Sequence, residues 1–292
     1  MNKLDKKTRS QILDMLCEGQ SIRGITRVMG MSKNTIAKLL VDAGKVCAEY
    51  HDQTIRGIHT SRIQCDEIWS FAYSKEKNVK DAESALEWAG DTWTWTALDV
   101  DSKLIVSYLV GGRDAEYGAA FMEDLVSRIA NRIQLTTDGH KAYLEAVEAA
   151  FGADIDYTML VKIYGPPPKH GVSVRPSFDE CIGAKKILII GNPDQTFANK
   201  SSVERQSLTM HMRRSKRFPN AFSKKVENHA YAVALHFMHY NFVRIHKSLR
   251  MTPAMAAGIT DKLWEVSDIV ALIEANEARR ATLSRSGAPN AM

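Results

Sequence analysis

Along residues 5–44 apolar side chains recur every three to four positions, the period of a helix with one buried face. Ile12, Met15 and Leu16 share a face of a first helix that ends near Gly19. Ser21 is placed to cap a second helix carrying Ile22, Ile25 and Met29, and Gly30 supplies a tight turn. Ser32 caps a third helix whose inner face is Ile36, Leu39, Leu40 and Ala43 and whose outer face is Lys33, Asn34 and Lys38. The pattern predicts a three-helix domain over residues 1–45 and a connector over 46–61.

At Arg62 the pattern changes. Ile63, Cys65, Ile68, Trp69 and Phe71 fill a stretch to Tyr73 without Gly or Pro, which predicts a buried strand. Thr92–Leu98 and Lys103–Val110 predict a hairpin about the turn Asp99-Val100-Asp101-Ser102, extending an antiparallel sheet. Glu116–Ile129 is amphipathic through Phe121, Leu125 and Ile129. A strand from Ile133 to Asp138, a helix from Lys141 to Phe151 and a strand over 155–164 predict a β-α-β unit. Gly165-Pro166-Pro167-Pro168 is rigid, and Lys185–Ile190 suits one more strand. Helices follow: one from Ser201 or Ser202 carrying Glu204, Leu208, His211 and Ser215 on one face, one over Phe222–Phe242, and a tail over 261–280 ending in a disordered segment from Ser284. Thr252-Pro253 starts a separate element.

Composition narrows the class. Of 292 residues, 45% are hydrophobic and 25% charged, ordinary for a soluble globular chain. No signal peptide opens the sequence and no apolar run reaches membrane-spanning length, so the expectation is a cytoplasmic protein with no membrane partner. Its four cysteines form no CxxC pair, which argues against a zinc ribbon or disulfide framework. The formal charge of +5 is mild, but its distribution is not. Residues 51–199 carry 15 Lys and Arg against 22 Asp and Glu, whereas residues 200–250 carry 11 against 2. An acidic centre beside a basic region suits a polyanion held at a carboxylate site.

Three acids stand out: Asp66, Asp138 and Glu204. Asp66 and Glu67 lie inside the first predicted strand, where a charge costs several kcal/mol without a partner or metal; neighbouring strand residues face opposite ways, so the two cannot serve one site equally. Asp138 ends a strand before Gly139, where it either caps the next helix or belongs to a site. Glu204 sits in the first turn of a helix, where it also suits the helix dipole. Carboxylates from separate elements converge on hard divalent ions in phosphoryl-transfer enzymes, although 34 acids offer many triplets. In the N-terminal helices, Ser32, Lys33, Asn34 and Lys38 suit a helix-turn-helix reading DNA; a plain three-helix bundle is the alternative.

Four segments in order carry a family resemblance: Cys65-Asp66-Glu67-Ile68-Trp69-Ser70-Phe71, Thr137-Asp138-Gly139-His140-Lys141-Ala142-Tyr143, Val203-Glu204-Arg205-Gln206 and the run Tyr240–Leu249. The chain resembles the DDE transposases of bacterial insertion sequences, and more closely the insertion-sequence-one family. The resemblance implies a ribonuclease-H-like α/β catalytic core over residues 62–260, with an N-terminal helix-turn-helix and a mostly helical C-terminal extension over 261–292. It assigns Asp66, Asp138 and Glu204 to a triad holding Mg2+ or Mn2+. It implies cleavage of DNA at element ends and strand transfer into target DNA by a homo-oligomer associated with the nucleoid. His211, Arg213, Arg214, Lys216, Arg217, Arg244 and His246 then become DNA-contact candidates, although Arg244 and His246 also suit a helix C-terminus. A structure-specific nuclease and a catalytically idle DNA-binding regulator are the rival functions.

Overall fold

The computed structural model describes residues 4–72, 90–164, 181–197, 201, 203–204 and 226–286. It is a mixed α/β structure that divides into two compact units. One comprises Met1–Arg56, Trp69–Trp93 and Leu208–Met292; the other comprises Gly57–Ile68 and Thr94–Ser207.

The first unit is mainly helical: α1 (Lys6–Cys17), α2 (Ile22–Met29), α3 (Lys33–Thr54), α6 (Val226–Met238), α7 (Pro253–Ala256) and α8 (Val266–Ser286). Local chemistry sets the early boundaries. Ser21 accepts from Gly24 N at 2.9 Å, Gly30 closes α2 at φ +65°, and Ser32 accepts from Asn34 N at 3.3 Å. Residues 46–54, expected to be connector, are instead the last turns of α3. The stripe of Ile36, Leu39, Leu40 and Ala43 continues through buried Val46, Cys47 and His51, so ending the helix at 45 would leave that face unfinished. α3 packs along α6, which buries Val233, Leu235 and Phe237.

The ring of Tyr50 stacks at 5.5 Å from Phe242 and 4.9 Å from Trp264. Beyond α6 one turn widens to π geometry over His239–Val243, closed by Arg244 N donating to His239 O at 2.9 Å. Thr252 caps α7 with Pro253 at its first turn, as expected. The tail helix runs on through Ser284–Ser286, expected to be disordered; Ser284 Oγ bonds back to Ala281 O at 2.9 Å. Residues 287–292 lie outside the described part.

The second unit carries most of a six-stranded sheet in the order β3-β2-β1-β4-β5-β6. The strands are β1 (Arg62–Ala72), β2 (Gly90–Asp99), β3 (Ile105–Gly111), β4 (Ile133–Asp138), β5 (Ile155–Tyr164) and β6 (Cys181–Ile190). β1 meets β2 with opposite sense, Val100 N on Arg62 O and Thr96 Oγ1 on Asp66 O. β4 is parallel to β1 and β5 to β4, while β6 runs antiparallel along β5. α4 (Ala115–Arg128) and α5 (Ala142–Phe151) are the crossovers on either side of β4 and pack on each other. Asp99 fulfils its turn role: 4% exposed, it accepts from Thr60, Asp101 and Ser102.

Helix α3 contains Gly44, where a Cβ would stand 2.6 Å from Tyr231 Cα and closer still to that residue's Cβ and carbonyl oxygen. Alanine gains about 1 kcal/mol of helix propensity over glycine, but overpacking against backbone costs about 1–3 kcal/mol and wins. Gly44→Ala is expected to lower the thermal midpoint by several degrees. A midpoint equal to or above that of the native chain would contradict this packing.

Candidate active site

All three acids singled out above belong to the second unit. β1 pairs with β4 in the register Ile63 to Leu135 and Gln64 to Thr136. Continued two residues, that register brings Asp66 level with Asp138, the last residue of β4. Gln64 Oε1 accepts from Val203 N at 3.1 Å, which ties the helical turn containing Glu204 to β1. Strand alternation gives Asp66 the same face of β1 as Gln64 and turns Glu67 to the other.

The side chain of Glu67 is 1% exposed. Arg113 reaches it with two N–H groups on Oε2, from Nη2 at 3.0 Å and Nε at 3.2 Å. The same Nη2 stands 3.8 Å from Asp138 Oδ2. Arg113 is presented by the loop between β3 and α4, and that loop is fixed by the buried indole of Trp95 donating to Gly112 O at 2.9 Å. Trp95 also packs edge-on against Tyr143 of α5, with centroids 5.3 Å apart, and against His140, at 5.8 Å. Glu67 Oε1, the Tyr143 hydroxyl and His140 Nδ1 are buried without a hydrogen bond of normal geometry. Sequence reading raised Glu67 without assigning it and passed over Arg113. The available signal was an arginine directly after a strand-ending Gly-Gly pair, within an otherwise acidic stretch.

Burial, then the charge of Asp138, push the Glu67 carboxyl from its ordinary 4.5 up to about 7, against the opposing pull of Tyr143 and Arg113. Burial is also what lowers His140, helped by Arg113 and opposed by Asp138. Burial raises Tyr143 well above the usual phenol range.

Asp138 Oδ1 accepts from His140 N at 2.9 Å, so part of its role is to shape the turn into α5. Glu204, 43% exposed, pairs with Lys162 of β5 at 2.9 Å. Among the described residues no three His, Cys, Asp or Glu side chains gather tightly enough for one ion. The donor chemistry nevertheless fits a hard divalent cation: all three candidates are carboxylates, and protein cations, Arg113 and Lys162, stand at two of them.

In the other unit Lys33 and Asn34 are exposed at the start of α3, and Lys38 pairs with Asp42 at 2.8 Å. Ser32 serves as the cap. His246 builds a turn: its N–H donates to Met251 O, its Nδ1 lies 3.0 Å from Ser248 Oγ, and its carbonyl accepts from Leu249 and Arg250. Arg244 closes the π turn through its backbone. His211, Arg213, Arg214, Lys216 and Arg217 lie outside the described residues.

No family model and no curated protein matches the chain. Among solved structures it aligns with one titled a cryo-EM structure of piggyBac transposase synaptic complex with hairpin DNA. The identity is 10%, the TM-score 0.40, and the alignment covers 100% of this chain and 78% of that one. At that identity and TM-score the likeness fixes neither fold nor chemistry. No helix among the described residues is long and apolar enough to cross a membrane.

A Glu67 carboxyl raised in the folded state makes folding take up a proton between pH 4.5 and 7, so stability falls as pH rises through that window. The loss is on the order of 3 kcal/mol at one proton per site. Glu67→Gln is expected to flatten the change in urea midpoint between pH 5 and pH 8. An unchanged slope in the variant would assign the dependence to another group.

Proposed function

We propose that the chain is a DNA transposase of the insertion-sequence-one kind, built on a ribonuclease-H-like core. The supporting observation is the β1–β4 register, which continued by two residues would set Asp66 level with Asp138, together with the anchoring of the turn carrying Glu204 to Gln64, on the Asp66 face of β1. The sequence resemblance adds the order of the motifs. In this reading Asp66, Asp138 and Glu204 hold Mg2+ or Mn2+, which supplies activation of a nucleophile and stabilisation of a leaving oxygen. Water attacks the phosphodiester at the element end and its 3′-oxygen leaves as a free 3′-hydroxyl; that hydroxyl then attacks a target phosphodiester, forming a new P–O bond as the target strand's 3′-oxygen departs as a hydroxyl.

The remaining residues bind and orient. The basic 200–250 segment attracts phosphate backbone whatever its sequence. Lys33 and Asn34 project from the first turn of α3, where a helix entering the major groove reads base edges. Homo-oligomerisation on DNA, with one protomer at each element end, completes the proposal.

Asp66→Asn, Asp138→Asn and Glu204→Gln are each expected to abolish Mn2+-dependent cleavage of an element-end duplex while DNA binding persists. Cleavage without joining of the freed 3′ end would establish the nuclease instead. Full activity in any of the three variants removes that residue from the triad.

Removing residues 1–45 would cut away Lys33–Lys45 of α3, which packs along α6, so the N-terminal test uses point variants. Lys33→Ala with Asn34→Ala is expected to weaken end binding roughly tenfold or more while leaving non-specific binding intact, since each base contact is worth about 1–3 kcal/mol. Equal loss on random and end sequences would make these residues phosphate contacts only.

A further inference from the structure

The arrangement of Arg113 between two carboxylates has a use that the triad does not cover. A guanidinium facing one carboxylate settles best as a bidentate fork, with two short N–H···O bonds. Arg113 instead gives Nε and Nη2 to a single oxygen of Glu67, at 3.2 and 3.0 Å, and stops 3.8 Å short of Asp138 Oδ2. That last distance is too long for a hydrogen bond but short enough for a strong charge interaction. Glu67 cannot follow Arg113 outward, because its side chain is 1% exposed and comes from the interior of the sheet. The loop cannot drift either, because Trp95 holds Gly112. Glu67 therefore acts as a tether.

We infer that Glu67 is a positioning residue that holds the Arg113 guanidinium beside, but off, the Asp138 carboxylate, so that Asp138 stays charge-compensated in the free protein and open to a divalent cation. The inference rests on the proposed metal-binding role of Asp138. Without Glu67 the guanidinium closes on Asp138 and competes with the ion. Without Arg113 that competition disappears. A purely structural ion pair predicts neither effect.

The test is Mn2+ titration by calorimetry on the full chain at pH 8, with native protein, Asp138→Asn, Glu67→Gln, Arg113→Gln and the Glu67→Gln/Arg113→Gln double variant. The expected result is binding that Asp138→Asn removes, roughly tenfold weaker binding in Glu67→Gln, tighter binding in Arg113→Gln, and a double variant within about twofold of Arg113→Gln, a coupling of the size seen between contacting residues. Native affinity in Glu67→Gln, or a double variant as weak as Glu67→Gln, overturns the tether while leaving the metal site standing. Binding that Asp138→Asn does not affect overturns both. Should Glu67→Gln fail to fold by circular dichroism, Arg113→Gln decides: tighter Mn2+ binding supports the tether, and equal or weaker binding overturns it.

Discussion

The second unit is built around a carboxylate placed where a sheet least tolerates one. Glu67 lies on an interior strand with its side chain 1% exposed. Transferring such a charge from water costs several kcal/mol even after relaxation, far more than a surface pair returns. The neighbourhood is arranged to reduce that cost. Arg113 supplies a full counter-charge through two N–H groups, the Tyr143 side chain lies against the carboxylate, and the raised proton affinity lets the group neutralise itself. Each contribution constrains another element. Arg113 fixes where the loop after β3 runs, Trp95 fixes that loop's backbone, and Tyr143 fixes how α5 sits on the sheet.

That dependence explains which parts of the fold were legible beforehand. Strands β4 and β5 and helices α1, α2, α4 and α5 appear within a residue or two of their expected limits, because each has a clean hydrophobic period and a local stop signal. Asp99, Ser21, Ser32 and Thr252 show their roles in sequence because turn and cap chemistry acts within three residues. The long α3 was illegible for the opposite reason. Val46 and Cys47 continue its stripe, but what rewards that stripe is α6, nearly two hundred residues away. β6 begins four residues earlier than its apolar run because pairing to β5, with a shift in register, organises Cys181–Ala184 as well.

The site divides along the same line. Alternation alone sends Asp66 and Glu67 to opposite faces, so the separation of the two acids was readable from spacing. Their partners were not. Arg113 is 46 residues from Glu67, and Lys162 is 42 from Glu204; both pairs arise only once the strand order is known. Asp138 shows the capping role that its position suggested, one oxygen accepting from His140 N, while the other stands 3.8 Å from Arg113 Nη2.

Exposure then separates the acids into two kinds. Glu67 is sealed, so exchanging its partner would strand a bare charge in the interior, and the pair with Arg113 persists. Glu204 and Lys162 are 43% and 47% exposed, and a pair so open to water is worth roughly 0–1 kcal/mol. In the proposed metal site a divalent ion would displace such a partner. Asp138, at 22% exposure and with Arg113 held at 3.8 Å, lies between these limits. A carboxylate site that trades protein cations for metal ions needs this gradient. The deepest acid keeps a permanent partner, and the outer acids keep partners weak enough to leave. In the proposed transposase Glu67 is therefore excluded from the metal set by its burial, although it is the acid that Arg113 joins to Asp138.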